Sequence, residues 1–425
     1  MGHWPPTLAG VPWSAADWTY VAEGAANVIV RYTGQPVWPY VNTTPGPEHG
    51  AVLALRLPKM RFDVSSTNGY PPLDAYIDKV LSQLIPKEAL PTLQCITFTP
   101  GTSALTPFLE QLAANIEPFR PEARREAGTI DTAPSFIWAM RDWSYAPPRD
   151  GVPQLLVEIK PKAGIVCNGP TNDENKRKHT KYRMHRIQRA APHQGAVPPV
   201  TPHEFASWYD PLDFFSADRA RISKAVHALC IDWASAPKNN FSVMCNGRKL
   251  DFEAQDKRLL CASLHSTEKD LLETLALAVT DSLCSPQNQS ILSNIVAQQA
   301  RLDGPGIEEL ARRWEALTGA SLQDGPEDCS RTVLPLSPPP LQDYVNAVRK
   351  NPAMHIATLD ELYTTVILYM IGATIKDASI FLRLGALPAL HLVDLDPKPL
   401  TKLRGYVRDD VSISRMFGRW AAQND

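Results

Sequence analysis

The stretch Leu155-Leu156-Val157-Glu158-Ile159-Lys160-Pro161-Lys162-Ala163-Gly164 constrains this chain more than any other. Its apolar residues surround Glu158, two lysines follow, and the Pro-Lys-Ala-Gly tail ends any regular element. Side chains alternate between the faces of a strand, so Glu158 and Lys160 share one face on either side of Ile159. Pro161 bends the chain, and Lys162 turns toward the same space. A carboxylate with two ammonium groups is costly to bury unless a ligand completes the charge balance. Taken alone, these ten residues also read as a solvated strand end with an ordinary ion pair.

At 425 residues the chain is long enough for a sizeable core and for two lobes. Its 43 basic residues nearly balance 45 acidic ones, so bulk charge points to neither nucleic acid nor membrane as partner. The seven cysteines, at 95, 167, 230, 245, 261, 284 and 329, form no C-x-x-C pair. That scatter suits reduced thiols inside a cell better than a disulfide framework or a zinc site. The chain starts without a signal-peptide pattern, and its most apolar run, Val366 to Ala373, is too short to span a bilayer. The expectation is a soluble intracellular monomer, nuclear or cytoplasmic.

Residues rich in β-branched and aromatic side chains predict strands at Trp18–Val21, Asn27–Tyr32 and Ala51–Leu57. The small-residue turn Glu23-Gly24-Ala25-Ala26-Asn27 joins the first two. Strand, turn and strand leading to a strand that ends in a cation is a common build for a phosphate cover, and it also fits a plain hairpin. Residues 72–119 read as mainly helical with proline breaks; Ile137–Met140 and Gln154–Ile159 read as strands. A lobe boundary near 142–153 predicts an N-lobe of 1–145 and a C-lobe of 146–425.

Nine cations between 160 and 189, against Asp173 and Glu174, make a local basic excess. Lys176-Arg177-Lys178 reads as a solvated face or a nuclear-localisation patch. Arg183, Arg186 and Arg189 recur every three residues, a row suited to a polyanion. Further on, Ser216 is the expected cap of a helix carrying Ile222, Val226, Leu229 and Trp233. Asn239-Asn240 opens a strand, as a turn or a ligand clamp. Helices are expected at 267–284, 286–301, 306–318, 340–349 and 359–371. Two aspartates stand near the C-terminus, Asp377 before one apolar run and Asp394 after another. Two strands joined by a short turn bring them together, as phosphoryl transfer requires of a base and a metal-binding acid. Lys398, Lys402 and Tyr406 follow at four-residue spacing, one face if helical.

Together these residues resemble the inositol-pentakisphosphate 2-kinase family, of fungal type. The signatures are Glu23-Gly24-Ala25-Ala26-Asn27, Glu158-Ile159-Lys160-Pro161-Lys162, Tyr182-Arg183-Met184-His185, Tyr209 to Ser216, Asn239-Asn240-Phe241, Lys376-Asp377-Ala378-Ser379 and Asp394 to Pro399, in the family's order. The resemblance implies an α+β, two-lobed, protein-kinase-like fold with an enlarged C-terminal inositide lobe. It implies ATP and Mg²⁺ as cofactors and inositol 1,3,4,5,6-pentakisphosphate as substrate, phosphorylated on its axial 2-hydroxyl.

By motif position, Glu23, Gly24, Ala25, Ala26 and Asn27 cover the ATP phosphates, Arg56 pairs with them, and Met140, Arg141, Asp142 and Trp143 form the hinge beside adenine. Glu158 and Asp394 organise nucleotide and Mg²⁺; Asp377 is the base, and Lys160 is counted with Asp377 and Asp394 among the catalytic residues. Arg61, Arg124, Lys160, Lys162, Arg189, Asn239, Asn240, Lys398, Lys402 and Tyr406 hold the inositide. Ala25 stands where a second glycine is often found. The plant Cys/His zinc set has no counterpart at ligand spacing, so no structural zinc is expected. Competing expectations are a polyphosphate- or RNA-binding module built on the basic run, and a kinase for other inositol phosphates.

Overall fold

The computed structural model describes residues 14–24, 26–34, 53–61, 71–97, 106–145, 148, 151–169, 173–193, 195–235, 240–303, 305–322, 338–350, 356–385 and 389–424. Ala25, Asn239 and residues 35–52 lie outside these residues, as does the side chain of Arg61.

Strands β1 (Trp18–Glu23), β2 (Asn27–Tyr32), β3 (Leu53–Arg61), β4 (Leu93–Thr97), β5 (Gly128–Ile130) and β6 (Phe136–Arg141) build one sheet, ordered β1-β2-β3-β6-β4 with β5 beside β3. Its neighbours run antiparallel, with Ile29 facing Arg56 and Arg56 facing Trp138. Val28 and Val30 are buried while Asn27 and Ile29 are not, the period-2 pattern of a half-buried strand. A second sheet, ordered β11-β10-β7-β8-β9, comprises β7 (Leu155–Ile159), β8 (Phe241–Cys245), β9 (Arg248–Leu250), β10 (Ser379–Arg383) and β11 (Ala389–Val393). The fold is mixed α+β.

The helices begin with α1 (Leu73–Lys79), α2 (Thr106–Ile116), α3 (Glu122–Glu126), α4 (Glu174–Lys178) and α5 (Lys181–Arg189). After α6 (Pro202–Ser207) and α7 (Pro211–Phe214) come α8 (Arg219–Ser235), α9 (Ala254–Leu264) and α10 (Leu271–Leu283). The chain continues through α11 (Pro286–Asp303), α12 (Gly306–Thr318), α13 (Leu341–Val348), α14 (Leu359–Asp377) and α15 (Leu403–Asn424). Helix α14 starts with a reciprocal capping box between Thr358 and Glu361. Its apolar run at 366–373 is a core helix, and no helix among the described residues is long and apolar enough to cross a membrane.

Two compact units emerge. The first comprises 1–68, 91–156 and 244–249; the second comprises 69–90, 157–243 and 250–425. The first unit's core packs Phe108, Leu112 and Ile116 of α2 on Val28, Val30, Leu55 and Leu57. In the second, Trp314, Val366, Met370, Leu403 and Val407 join α12, α14 and α15, and Phe205, Phe417 and Trp420 join α6 to the far end of α15.

Several expectations need correction. The described part of 72–119 is mainly helical as expected, except that Leu93–Thr97 is a strand paired along β6. Asp218, not Ser216, caps α8, its carboxylate accepting from the amides of Ala220 and Arg221. Asp outranks a more distant Ser because its oxygen reaches the second and third amides of the helix. Lys176 is no part of a solvated face: it is buried, donating to Asp410 at 2.7 Å and Glu308 at 2.5 Å. Arg183 is buried against Asp210 at 3.0 Å and Arg186 forks onto Asp232 at 2.7 and 2.9 Å, so only Arg189 of that row is exposed. Lys398, Lys402 and Tyr406 do not share a helix. Lys398 precedes a short 3₁₀ turn over Leu400–Lys402, and Tyr406 opens α15.

Candidate active site

The second unit gathers Asp377 and Asp394 with Lys160, Lys162 and Lys398 around the open end of one hairpin. Strands β10 and β11 pair antiparallel with Ser379 opposite Val393. Asp377, last residue of α14, stands two residues before that pair and Asp394 one residue after it. The hairpin therefore places both aspartates at its open end, as the apolar runs predict.

Each aspartate meets a lysine from the 155–164 stretch. Lys162 donates to one oxygen of Asp377 at 3.2 Å, while Lys398 donates to the other at 2.7 Å. Lys160 stands 3.6 Å from Asp394. Burial pushes the Asp377 carboxyl up, but Lys398 and Lys162 outweigh it and hold the group below the ordinary aspartate range. Burial likewise opposes the charge on Lys398, and Asp377 more than compensates, holding its ammonium above the usual value. Both aspartates keep about half of their side-chain surface exposed, 48% and 47%. They remain open to a ligand.

Glu158 takes a different role in the same sheet. It lies on β7, between β10 and β8. Ser379 from one neighbour donates to one carboxylate oxygen at 3.0 Å, and Ser242 from the other donates to the second at 3.2 Å. Charge-assisted bonds of this kind orient the acid from both sides.

Beyond β7 the chain is held almost atom by atom. The Lys160 amide donates to the Asn240 carbonyl at 2.8 Å, and the Asn240 side-chain amide returns a bond to the Lys160 carbonyl at 3.3 Å. Buried Tyr209 donates to the Pro161 carbonyl at 2.9 Å. Fully buried Gln299 accepts from the Gly164 amide at 2.8 Å and donates to the Lys162 carbonyl at 3.3 Å. Between these clamps Lys162 has φ 64°, a left-handed conformation rare for a lysine. Asp394 also has φ 64°. Such strain costs on the order of 1–3 kcal/mol and persists only where surrounding contacts over-determine it. Here it aims the lysine and the aspartate into the shared cluster.

The other predicted residues divide. Asn240 belongs to the cluster through the Lys160 backbone. Tyr406 sits nearby on α15 with its ring 6.1 Å from that of Tyr369, and burial raises its phenol's pKa. Among the described residues Arg189 and Lys402 take no part in these ion pairs, and both are exposed. Tyr209, Gln299, Ser242 and Ser379 were not singled out individually from sequence. Tyr209 and Ser379 lie within the quoted signatures, whereas Gln299 sits mid-helix with no local signal.

In the first unit, Gly24 and Ala26 are exposed in the turn between β1 and β2, closed by the Gly24 amide donating to the Asn27 carbonyl at 2.9 Å. The Glu23 carboxylate is turned inward against Lys59 and Arg120, with 1% of its side chain exposed. Arg56 lies on β3 with its guanidinium over Trp138, 5.6 Å from the ring centre. In the 140–143 segment, Asp142 is buried, accepting from Arg31 and from the Ser144 amide. Arg141 stacks over Trp143 at 4.2 Å. Arg124 is exposed on α3.

Among the described residues no three His, Cys, Asp or Glu gather into a metal cage. Magnesium does not ask for one: it is commonly held by one or two carboxylates, with phosphate oxygens and waters completing the octahedron. The half-exposed Asp394 and the two-sided Glu158 fit that donor set.

Three curated relatives cover the chain nearly end to end. An inositol-pentakisphosphate 2-kinase of Cryptococcus neoformans var. neoformans serotype D is 22% identical over 97% of this chain and 96% of its own. Those of Oryza sativa subsp. indica and Arabidopsis thaliana are 25% and 23% identical, each over 95% of this chain and 94% of the relative. The family model for inositol-pentakisphosphate 2-kinase matches residues 20–412, which takes in every signature from Gly24 to Pro399, and the chain belongs to that family.

Proposed function

We propose that the protein transfers the γ-phosphoryl group of ATP to the axial 2-hydroxyl of inositol 1,3,4,5,6-pentakisphosphate, giving the hexakisphosphate. The observation that carries this reading is the hairpin end, where Lys162 and Lys398 bracket Asp377 and Lys160 stands beside Asp394. A half-exposed aspartate flanked by cations suits an acceptor that is both a hydroxyl and a polyanion.

In the reaction, the 2-hydroxyl gives its proton to Asp377, and its oxygen takes the phosphoryl group. The bond from that phosphorus to the bridging oxygen breaks, and ADP leaves. Burial opposes the charge on Asp377, and Lys398 and Lys162 outweigh it, which keeps the carboxylate available to take a proton. Lys160, Lys162, Lys398 and Tyr406, with Arg189, Asn239 and Lys402 from the motifs, bind the inositide phosphates. By motif position Arg61 and Arg124 are assigned to the inositide as well. Gly24 to Asn27, Arg56 and Met140 to Trp143 take the nucleotide. Asp394 and Glu158 would hold Mg²⁺, which when bound supplies positive charge beside the transferring group.

A polyanion-binding module without chemistry fits less well, since Lys176, Arg183 and Arg186 of the basic run are used inside the fold. The decisive experiment offers the purified protein ATP, Mg²⁺ and a panel of inositol phosphates. Conversion of the 1,3,4,5,6-pentakisphosphate to hexakisphosphate in preference to the rest is expected. Tight binding without turnover would sink the kinase reading.

A further inference from the structure

The first unit contains a buried ionic cluster that the proposed chemistry does not use. Glu23, Lys59 and Arg120 expose 1%, 1% and 0% of their side chains. Lys59 donates to Glu23 at 2.8 Å and Arg120 at 3.0 Å, both to the same oxygen. The Arg120 Nε also donates to Glu23, 3.3 and 3.4 Å from its two carboxylate oxygens, while the remaining bonds of the fork reach elsewhere. Its Nη1 donates to Glu117 at 2.7 Å, and its Nη2 also donates to the carbonyls of Arg124 at 3.1 Å and Gly128 at 2.9 Å. The Lys59 ammonium reaches the same Arg124 carbonyl at 3.4 Å.

Two segments therefore hang from one guanidinium. Glu23 is the last residue of β1 and immediately precedes the turn; the Lys59 amide donates to the Ala26 carbonyl in that turn at 2.9 Å. Arg124 lies in the last turn of α3, whose orphan carbonyl is where cations are best placed. Its main chain is pinned from below while its side chain stays exposed. A lysine at position 120 would keep the charge but not the planar fork that reaches these partners together.

We propose that Arg120 is a positioning residue that sets the Gly24–Asn27 turn and the Arg124 side chain as one body, so that nucleotide cover and inositide contact depend on a single buried hub. This rests on the reading above that the turn covers ATP and that Arg124 meets the inositide. Glu23 then serves the nucleotide through the place of the turn, with its carboxylate directed away from the ligand. Misplacement by about an ångström suffices to cost large factors in binding or rate.

The test is a cycle of Arg120→Lys, Arg124→Ala and the double variant, with ATP and pentakisphosphate varied in turn. Arg120→Lys is expected to raise both KM values roughly tenfold. Arg124→Ala should raise only the inositide KM. In the double variant the inositide KM should not exceed that of Arg124→Ala, while the ATP KM stays raised. Additive effects on the inositide KM, or unchanged KM values with a lower kcat, would overturn the proposal. Should Arg120→Lys fail to fold, Glu23→Gln takes its place in the same cycle with the same expected pattern. Calorimetric titration of each variant with ATP and with the pentakisphosphate reads the same linkage without turnover. Wild type that binds both but does not react would therefore defeat the kinase reading and still decide this one.

Discussion

Lys398 and Asp377 lie 21 residues apart in sequence and 2.7 Å apart in space, with Lys162 completing the bracket at 3.2 Å. Before any substrate is present, the proposed base and two of the proposed phosphate ligands satisfy one another. Phosphates arriving at the site compete with Asp377 for the same two ammonium groups.

That competition makes Lys398 the first residue to vary. Lys398→Met keeps much of the chain length and removes the charge. The KM for the pentakisphosphate is expected to rise about tenfold or more, the loss of a charge-assisted contact to phosphate, while the KM for ATP changes less than about twofold. Steady-state kinetics with each substrate varied checks this. An unchanged inositide KM would remove Lys398 from the binding set.

The same ion pairs fix a pH dependence. Asp377 has its folded pKa depressed, so the stability it contributes is present above the unfolded value, near 4. It is lost as pH falls through the lower folded value. Urea titrations of wild type and Asp377→Asn should therefore differ by a constant amount from about pH 6 to 8 and converge below about pH 4. The difference should be modest, since the side chain is half exposed and solvent screens it. A gap that widened in acid would contradict the assigned direction.

Gln299 offers a test of the clamp on the lysines. Gln299→Leu removes the acceptor of the Gly164 amide and the donor to the Lys162 carbonyl, both in a buried setting. A loss of about 1–3 kcal/mol per orphaned group is expected in chemical denaturation. The inositide KM should rise several-fold although Gln299 touches no substrate. Full stability with full affinity would show that the loop holds its shape without this clamp.

Lys162 separates strain from function. Glycine accepts φ 64° freely, so Lys162→Gly relieves the left-handed backbone while adding disorder to the unfolded chain. These terms offset, and stability should stay within about 1 kcal/mol of wild type. The inositide KM should nevertheless rise at least about tenfold, since a phosphate ligand is gone. Thermal melts and kinetics on one preparation decide between this outcome and a residue kept for folding.

How far the sequence revealed this depended on the range of the interactions. Val28, Ile29, Val30 and Tyr32 make a run rich in β-branched and aromatic residues, and that local pattern placed β2 correctly. The apolar runs flanking Asp377 and Asp394 were enough to foresee a hairpin, because pairing across a short turn is nearly local. Leu93–Thr97 alternates poorly and sits among prolines, so only its partner β6 makes it a strand. The arginine row failed for the same reason: periodicity cannot show that Arg183 and Arg186 meet Asp210 and Asp232. The left-handed turn at Lys162 is set by Tyr209, Asn240 and Gln299, between 47 and 137 residues away in sequence, and no reading of ten residues contains it. The Glu158 motif itself was legible, but its two serine partners come from other strands of the sheet.

Asp377→Asn tests the account most directly, because it keeps the shape of the side chain and removes its ability to take a proton. With ATP, Mg²⁺ and inositol 1,3,4,5,6-pentakisphosphate, the initial rate of hexakisphosphate formation should fall about 10²- to 10⁴-fold, with pentakisphosphate still bound. A rate within a few-fold of wild type would contradict the assignment of Asp377 as the base.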